Sequence, residues 1–193
     1  MEPAFVDNQS YDRVNFKESP LRKGEYENCS FNNCDFASTD LSAMRFIACK
    51  FVGCNLSMVA LMKTVFQDVE FKGCKMLGLR FDHCNAFGLS FRFESCSLNY
   101  SSFYRIKLKK TIFKDSQLQE TDFTECDLTG VAFDACDLTR TIFENTLLEK
   151  TDFRTSYNYS IDPEANRIKK AKFSLTQVRG LLDKYDIEID HSN

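Results

Sequence analysis

The chain has 193 residues, 27% charged and 43% apolar, a composition that suits one folded domain and excludes a disordered chain. A net charge of −3 argues against a nucleic-acid-binding surface, since affinity for phosphates comes from clustered Lys and Arg. No stretch approaches the roughly 18 apolar residues of a membrane span, and Met1 to Asp7 carry neither a basic nor an apolar signal region. A cytoplasmic protein is expected.

Nineteen phenylalanines against no tryptophan is a skew that an ordinary amphipathic fold does not produce. A period of five residues accounts for it. Every fifth residue from Phe16 to Phe91, and again from Leu98 to Phe153, forms a train of repeat centres. Of these 28 positions, 27 are bulky and apolar or aromatic, Ala86 being the exception, and 15 of the 19 phenylalanines lie on them. Helices repeat at 3.6 residues and strands at 2, so neither explains the train. Two residues before the centres stand all nine cysteines: Cys29, Cys34, Cys49, Cys54, Cys74, Cys84, Cys96, Cys126 and Cys136. Elsewhere that place holds mainly small residues, such as Thr64, Ser101 and Thr121. A bulky centre with a small residue two places earlier suits a narrow tube whose lumen both side chains must fill. The other three places are mostly polar and are expected to face water.

Asn33-Cys34-Asp35-Phe36-Ala37, Cys126-Asp127-Leu128-Thr129 and Cys136-Asp137-Leu138-Thr139 resemble the A(D/N)LXX consensus of the pentapeptide-repeat family, over about three quarters of the chain. The resemblance implies an all-β fold, a right-handed quadrilateral β-solenoid with four repeats per square coil. The 28 repeats would give about seven coils and, at roughly 4.8 Å per stacked strand, a tube about 34 Å long.

In chain order, residues 1–12 are expected to cap the N-terminus and 13–158 to form the solenoid. Between Phe91 and Leu98 the spacing is seven, so the stretch 86–98 is irregular. The interruption is read as a bulge, or as a recognition feature that projects Arg92, Phe93 and Glu94 outward. The register fades after Phe153, and residues 159–193 are expected to form a C-terminal cap. Ser174 stands three before Gln177, a capping-box pattern that predicts a short helix near 174–185 with Leu175, Val178, Leu181 and Leu182 on one side. Ile187 and Ile189 alternate with acids and predict a closing strand.

The cysteines are read as buried thiols acting as small hydrophobes: their number is odd and no CxxC pair occurs. The two histidines, His83 and His191, have no metal-ligand spacing, and His83 is expected to face outward. No P-loop, GxSxG, dinucleotide fingerprint or HExxH is present. An enzyme, a cofactor and a metal are therefore not expected, and function is sought on the outer surface.

Charge on that surface is uneven. Residues 1–110 carry a net +3, and residues 111–155 a net −6. Ten acids make the second figure: Asp115, Glu120, Asp122, Glu125, Asp127, Asp134, Asp137, Glu144, Glu149 and Asp152. They fall on successive repeats, winding around all four faces as an outward band that resembles duplex DNA electrostatically. The segment Phe153 to Tyr185, with Ile161-Asp162-Pro163-Glu164-Ala165-Asn166-Arg167-Ile168, resembles the C-terminal region of the topoisomerase-protecting branch, the Qnr-type quinolone-resistance and microcin immunity proteins. That resemblance implies a DNA-mimicking partner of DNA gyrase or topoisomerase IV and a homodimer joined through the C-terminal segment, with Leu181 and Leu182 buried between copies. The chain lacks the two projecting loops of the Gram-negative Qnr proteins. The alternative is a protein–protein scaffold with a different partner.

Overall fold

The computed structural model describes residues 3–109 and 111–190. Eleven short strands occur among them: β1 (Ala4–Asp7), β2 (Ser10–Asp12), β3 (Gly24–Glu27), β4 (Ser30–Asn32), β5 (Arg45–Ile47), β6 (Lys50–Val52), β7 (Val65–Gln67), β8 (Val69–Lys72), β9 (Phe91–Glu94), β10 (Ile112–Lys114) and β11 (Ala132–Asp134). All pair in parallel. One side of the tube is the four-stranded sheet β1-β3-β5-β7, and the next is the seven-stranded sheet β11-β10-β9-β8-β6-β4-β2. The other two sides are joined by single parallel bridges, such as Asp35↔Asn55 and Ser102↔Asp122. The register advances by 20 residues per coil, as in Phe31↔Phe51 and Phe113↔Phe133.

The repeat chemistry explains the square. Two residues after most centres the chain turns a corner in the left-handed region, and the non-glycine residues that do so there have φ between 48° and 63°. Each such corner costs on the order of 1 kcal/mol. A rising ladder of backbone bonds offsets it: the corner N–H donates to a carbonyl in the next coil, as from Asn33 to Val52 at 2.8 Å and from Ser38 to Ser57 at 2.9 Å. The place two residues before the centre faces a carbonyl of the coil before and favours a small side chain able to donate, although apolar residues such as Met44, Leu79 and Ile106 also fill it. Thr64 Oγ1 donates to the Leu41 carbonyl at 2.8 Å, and the Cys74 thiol does the same to Phe51 at 3.3 Å. Cysteine, serine and threonine meet both demands.

The lumen is a packed column of rings. Nine aromatic rings, from Tyr11 through Phe31, Phe51, Phe71, Phe93, Phe113, Phe133 and Phe153 to Phe173, stack along one side with centroids 4.7–5.4 Å apart. From the opposite side Phe81, Phe103, Phe123 and Phe143 form a second stack, and the two meet edge to face, as Phe103 does with Phe113 at 5.9 Å and 88°. Edge-to-face and offset contacts suit the ring quadrupole. In the upper coils leucines such as Leu98, Leu108, Leu118 and Leu128 fill the remaining sides and are buried.

Several expectations change. Phe93 does not project: it pairs with Phe71 in register and is fully buried, which makes this one coil 22 residues long. Ala86 leaves the lumen instead, and Phe91, displaced to the small-residue place, packs against Phe66, Phe71, Phe81 and Phe93. Arg92 stays exposed and Glu94 half-buried.

The coil repeat also reaches beyond the stretch 13–158. Strands β1 and β2 lie within the segment read as an N-terminal cap, paired with β3 and β4. At the other end Leu147↔Arg167 and Asp152↔Lys172 keep the 20-residue step.

The C-terminal helix is not α-helical. Val178–Leu181 and Asp183–Tyr185 form two short 3₁₀ turns, and no α-helix occurs among the described residues. The Ser174 hydroxyl meets Thr176 Oγ1 at 3.1 Å rather than capping. Gly180 is pressed against the Tyr159 carbonyl so closely that a Cβ there would collide with it. That contact ties the turn to the coil, where an α-helix would need to stand clear. Ile187 and Ile189 form no strand and are exposed.

Candidate interaction surface

The acidic band divides into two chemically different sets. Asp122, Asp127, Asp137 and Asp152 each stand one residue before a centre, and their carboxylates bend back to accept a backbone N–H two residues on. This is the Asx-turn geometry that starts each corner. Asp127 is only 9% exposed, its Oδ1 accepting from the Thr129 N–H at 3.1 Å while Oδ2 faces Lys109 Nζ at 3.0 Å. Burial alone would raise its carboxyl, but the bonds from Thr129 and Lys109 prevail and hold it below the usual aspartate range. Asp137 behaves alike, with Thr139, Gln119 and Asn158 as donors, and the Arg154 guanidinium lowers Asp152. These carboxylates are committed to the fold, which corrects the reading that the whole band simply faces outward.

The second set lies on corners and outer places. Asp115, Glu120, Glu125, Asp134 and Glu144 are exposed, and Glu149 is half-buried. Arg105 binds Glu125 at 2.7 Å, Arg140 approaches Glu120 at 3.4 Å, and Lys114 lies 4.0 Å from Asp115. Asp134 accepts from the Thr155 hydroxyl at 2.9 Å. Glu144 and Glu149 have no side-chain hydrogen bond or ion pair among the described residues. Within this set, Asp134, Glu144 and Glu149 have no ion pair among the described residues, and they lie on three different sides of the upper coils.

The sequence reading missed the exposed aromatics. Of the four phenylalanines off the five-residue trains, Phe93 and Phe173 turn into the lumen stack, whereas Phe5 and Phe87 are 66% and 89% exposed. Their place outside the register was the available signal. Phe87 rides a loop fixed by its N–H to Asn85 Oδ1 at 2.9 Å and by the Ser90 hydroxyl to Asp68 Oδ1 at 3.0 Å.

At the C-terminal end Leu181 packs on the core, while Leu182 is 37% exposed and Val178, Tyr185 and Ile187 are exposed too. Lys184 clasps Asp162 and Glu164 at 2.8 and 2.7 Å, holding this segment to the last coil.

All nine cysteines are free thiols, eight buried and Cys84 half-buried. Burial pushes Cys49, Cys126 and Cys136 up to about 12, which keeps them neutral donors. His83 is exposed, 3.8 Å from Asp82, while His191 lies outside the described residues. No group of three metal-ligating side chains, and no helix long and apolar enough to cross a membrane, occurs among the described residues.

The sequence profile of the pentapeptide repeat region matches residues 25–92 and 89–161. The chain belongs to the pentapeptide-repeat family. No curated protein matches it in sequence. Among solved structures, this pentapeptide-repeat chain is similar to QnrB1, a plasmid-mediated fluoroquinolone resistance protein. With the trypsin-treated R167E form the TM-score is 0.61 at 19% identity, covering 96% of this chain and 97% of the other. With full-length QnrB1 it is 0.54 at 18%, covering 94% and 99%. HetL, a pentapeptide-repeat protein involved in heterocyst differentiation regulation in the cyanobacterium Nostoc, gives 0.48 at 12%, covering 86% and 84%. At these identities the likeness defines the shared fold.

Proposed function

We propose that this protein acts by binding, as a rod that imitates duplex DNA and engages a gyrase-type topoisomerase, shielding it from quinolones or toxins. The observation that carries the reading is the set of uncompensated carboxylates Asp134, Glu144 and Glu149 around the upper coils of a rigid tube. Carboxylates held on different sides of a rod attract the basic surfaces that enzymes use to track DNA. The full-length fold similarity to a fluoroquinolone resistance protein supports the choice of partner. The free thiols suit a reducing cytoplasm, where they would stay unpaired.

In this reading the rod is a homodimer joined at its C-terminal end. Leu182, Val178, Tyr185 and Ile187 supply the apolar contact, and Leu181, already half-buried on the core, steadies it from within. Protection would rest on the tube wall, because the longest interruption of the repeat is the two-residue insertion before Phe93.

The test is a DNA supercoiling assay with purified gyrase, with and without a quinolone. Inhibition at high protein concentration, or relief of quinolone inhibition at lower concentration, supports the reading. If supercoiling is unchanged in both arms, a scaffold with a different partner takes its place.

A further inference from the structure

We propose that the open N-terminal end of the solenoid is a self-association surface, on which a second copy of this chain closes the lumen by pairing β1 with its two-fold mate.

The two ends of the tube are finished differently. At the C-terminal end the chain covers itself: Leu181 and Phe173 pack on the core and Lys184 clasps the last coil. At the N-terminal end the lumen opens into a cavity of about 580 Å³ walled by Val6, Tyr11, Phe16, Leu21 and Tyr26. Among the described residues, strands β1 and β2 end their sheets with a neighbour on one side only. Their outer backbone groups are unpaired edges, which natural proteins cover or blunt. Phe5 stands on the outward face of β1 while its neighbour Val6 packs on the core, the alternation a strand imposes. An exposed aromatic, an apolar opening and a free strand edge therefore share one end.

A second copy fits this end better than an unrelated strand does. The first coil turns its corners at Asn8, Arg13, Glu18 and Lys23, with Asn8 and Arg13 in the left-handed region seen at later corners. A two-fold axis passing between the sides of β1 and Phe16 exchanges the Arg13 and Glu18 corners. It brings Arg13 to Glu18 of the second copy twice, and Lys23 to the corner where Asp7 precedes Asn8. Arg13 and Glu18 are exposed, with only Asp12 at 3.8 Å from Arg13 and Asn15 bonded to Glu18 at 2.9 Å. The same axis sets β1 antiparallel to β1, so that Phe5 meets Phe5 across the new pair and the two lumens face each other. The arrangement is isologous and closes on itself.

A coil side of about five residues at roughly 3.3 Å each, widened by its side chains, gives an end face of roughly 600 Å² per copy. That is at the low end for a specific interface, so the association should be weak and concentration-dependent.

Sedimentation equilibrium over a range of concentrations decides the matter, with melting temperatures as the control for folding. The wild type should associate, and Phe5→Ser should weaken association by about tenfold or more at an unchanged melting temperature. Arg13→Glu and Glu18→Arg should each weaken it, and the double swap should restore it. Assemblies larger than dimers that fall to dimers in these variants also support the proposal, the second contact then being C-terminal. A monomer at every concentration overturns it. So does a dimer that ignores all of these changes and dissociates in Leu182→Ser.

Discussion

Phe91 occupies the lumen space that Ala86 vacates. Ala86 stands at a repeat centre yet is exposed, and Phe91, five residues later, packs against Phe66, Phe71, Phe81 and Phe93 from a place where small residues predominate. Volume lost at one position is supplied from the next side, so the coil absorbs two extra residues and keeps its ring contacts.

This exchange predicts a sharp contrast within five residues. Phe91→Ala should cost about 3–5 kcal/mol, the range for opening a cavity in a close-packed interior. Phe87→Ala, in the exposed loop, should stay within about 0.5 kcal/mol. Urea unfolding of the two variants measures both, and equal effects would contradict the assignment of Phe91 to the core.

The Tyr159 hydroxyl is buried and has no hydrogen-bond partner among the described residues. An unsatisfied buried hydroxyl costs about 1–3 kcal/mol, so Tyr159→Phe should raise the melting temperature. Gly180→Ala is the opposing control, since its Cβ would strike the Tyr159 carbonyl and displace the C-terminal turn. A melting point lowered by Tyr159→Phe would mean that the hydroxyl has a partner after all.

Asp127, Asp137 and Asp152 all titrate below the ordinary aspartate range in the folded chain. Their stabilisation is therefore complete above the unfolded aspartate pKa of about 3.9, and is lost as pH falls below it through their lower folded values. Melting temperature against pH should drop below about pH 4. Asp127→Asn keeps an oxygen for the Thr129 N–H but loses Lys109, and should show a shallower drop. Parallel profiles for wild type and variant would contradict the role given to this carboxylate.

The five-residue centres and the cysteine positions were legible because lumen packing admits few residue types there. The coil break was less so: in Phe91-Arg92-Phe93 either phenylalanine satisfies the pattern, and only the strand pairing of Phe71 with Phe93 decides between them. The last coil was obscured because Asn158 lies exposed at a centre while the adjacent Tyr159 is buried, and Ile161 and Asn166 stand where Cys, Ser or Thr usually do. At the C-terminus the capping-box pattern of Ser174 and Gln177 suggested a helix, but the contact of Gly180 with Tyr159 belongs to tertiary structure and leaves no local mark. The acidic band failed differently. Outward places were equated with free charge, yet an aspartate before a centre is drawn back onto its own turn, as at Asp122 and Asp127.

That distinction selects the variant with which DNA mimicry is best tested. Reversing Asp122, Asp127 or Asp137 would disturb corners as well as charge, whereas Asp134, Glu144 and Glu149 cap no turn. The measurement is competition between this protein and duplex DNA for gyrase, at two salt concentrations, for wild type and for Asp134→Lys/Glu144→Lys/Glu149→Lys. The account predicts that the wild type displaces DNA, less effectively as salt rises because charge attraction is screened over about 10 Å at 0.1 M. The triple variant should keep its melting temperature and lose the competition. A folded triple variant that competes with undiminished affinity, or a wild type that never displaces DNA, would contradict it.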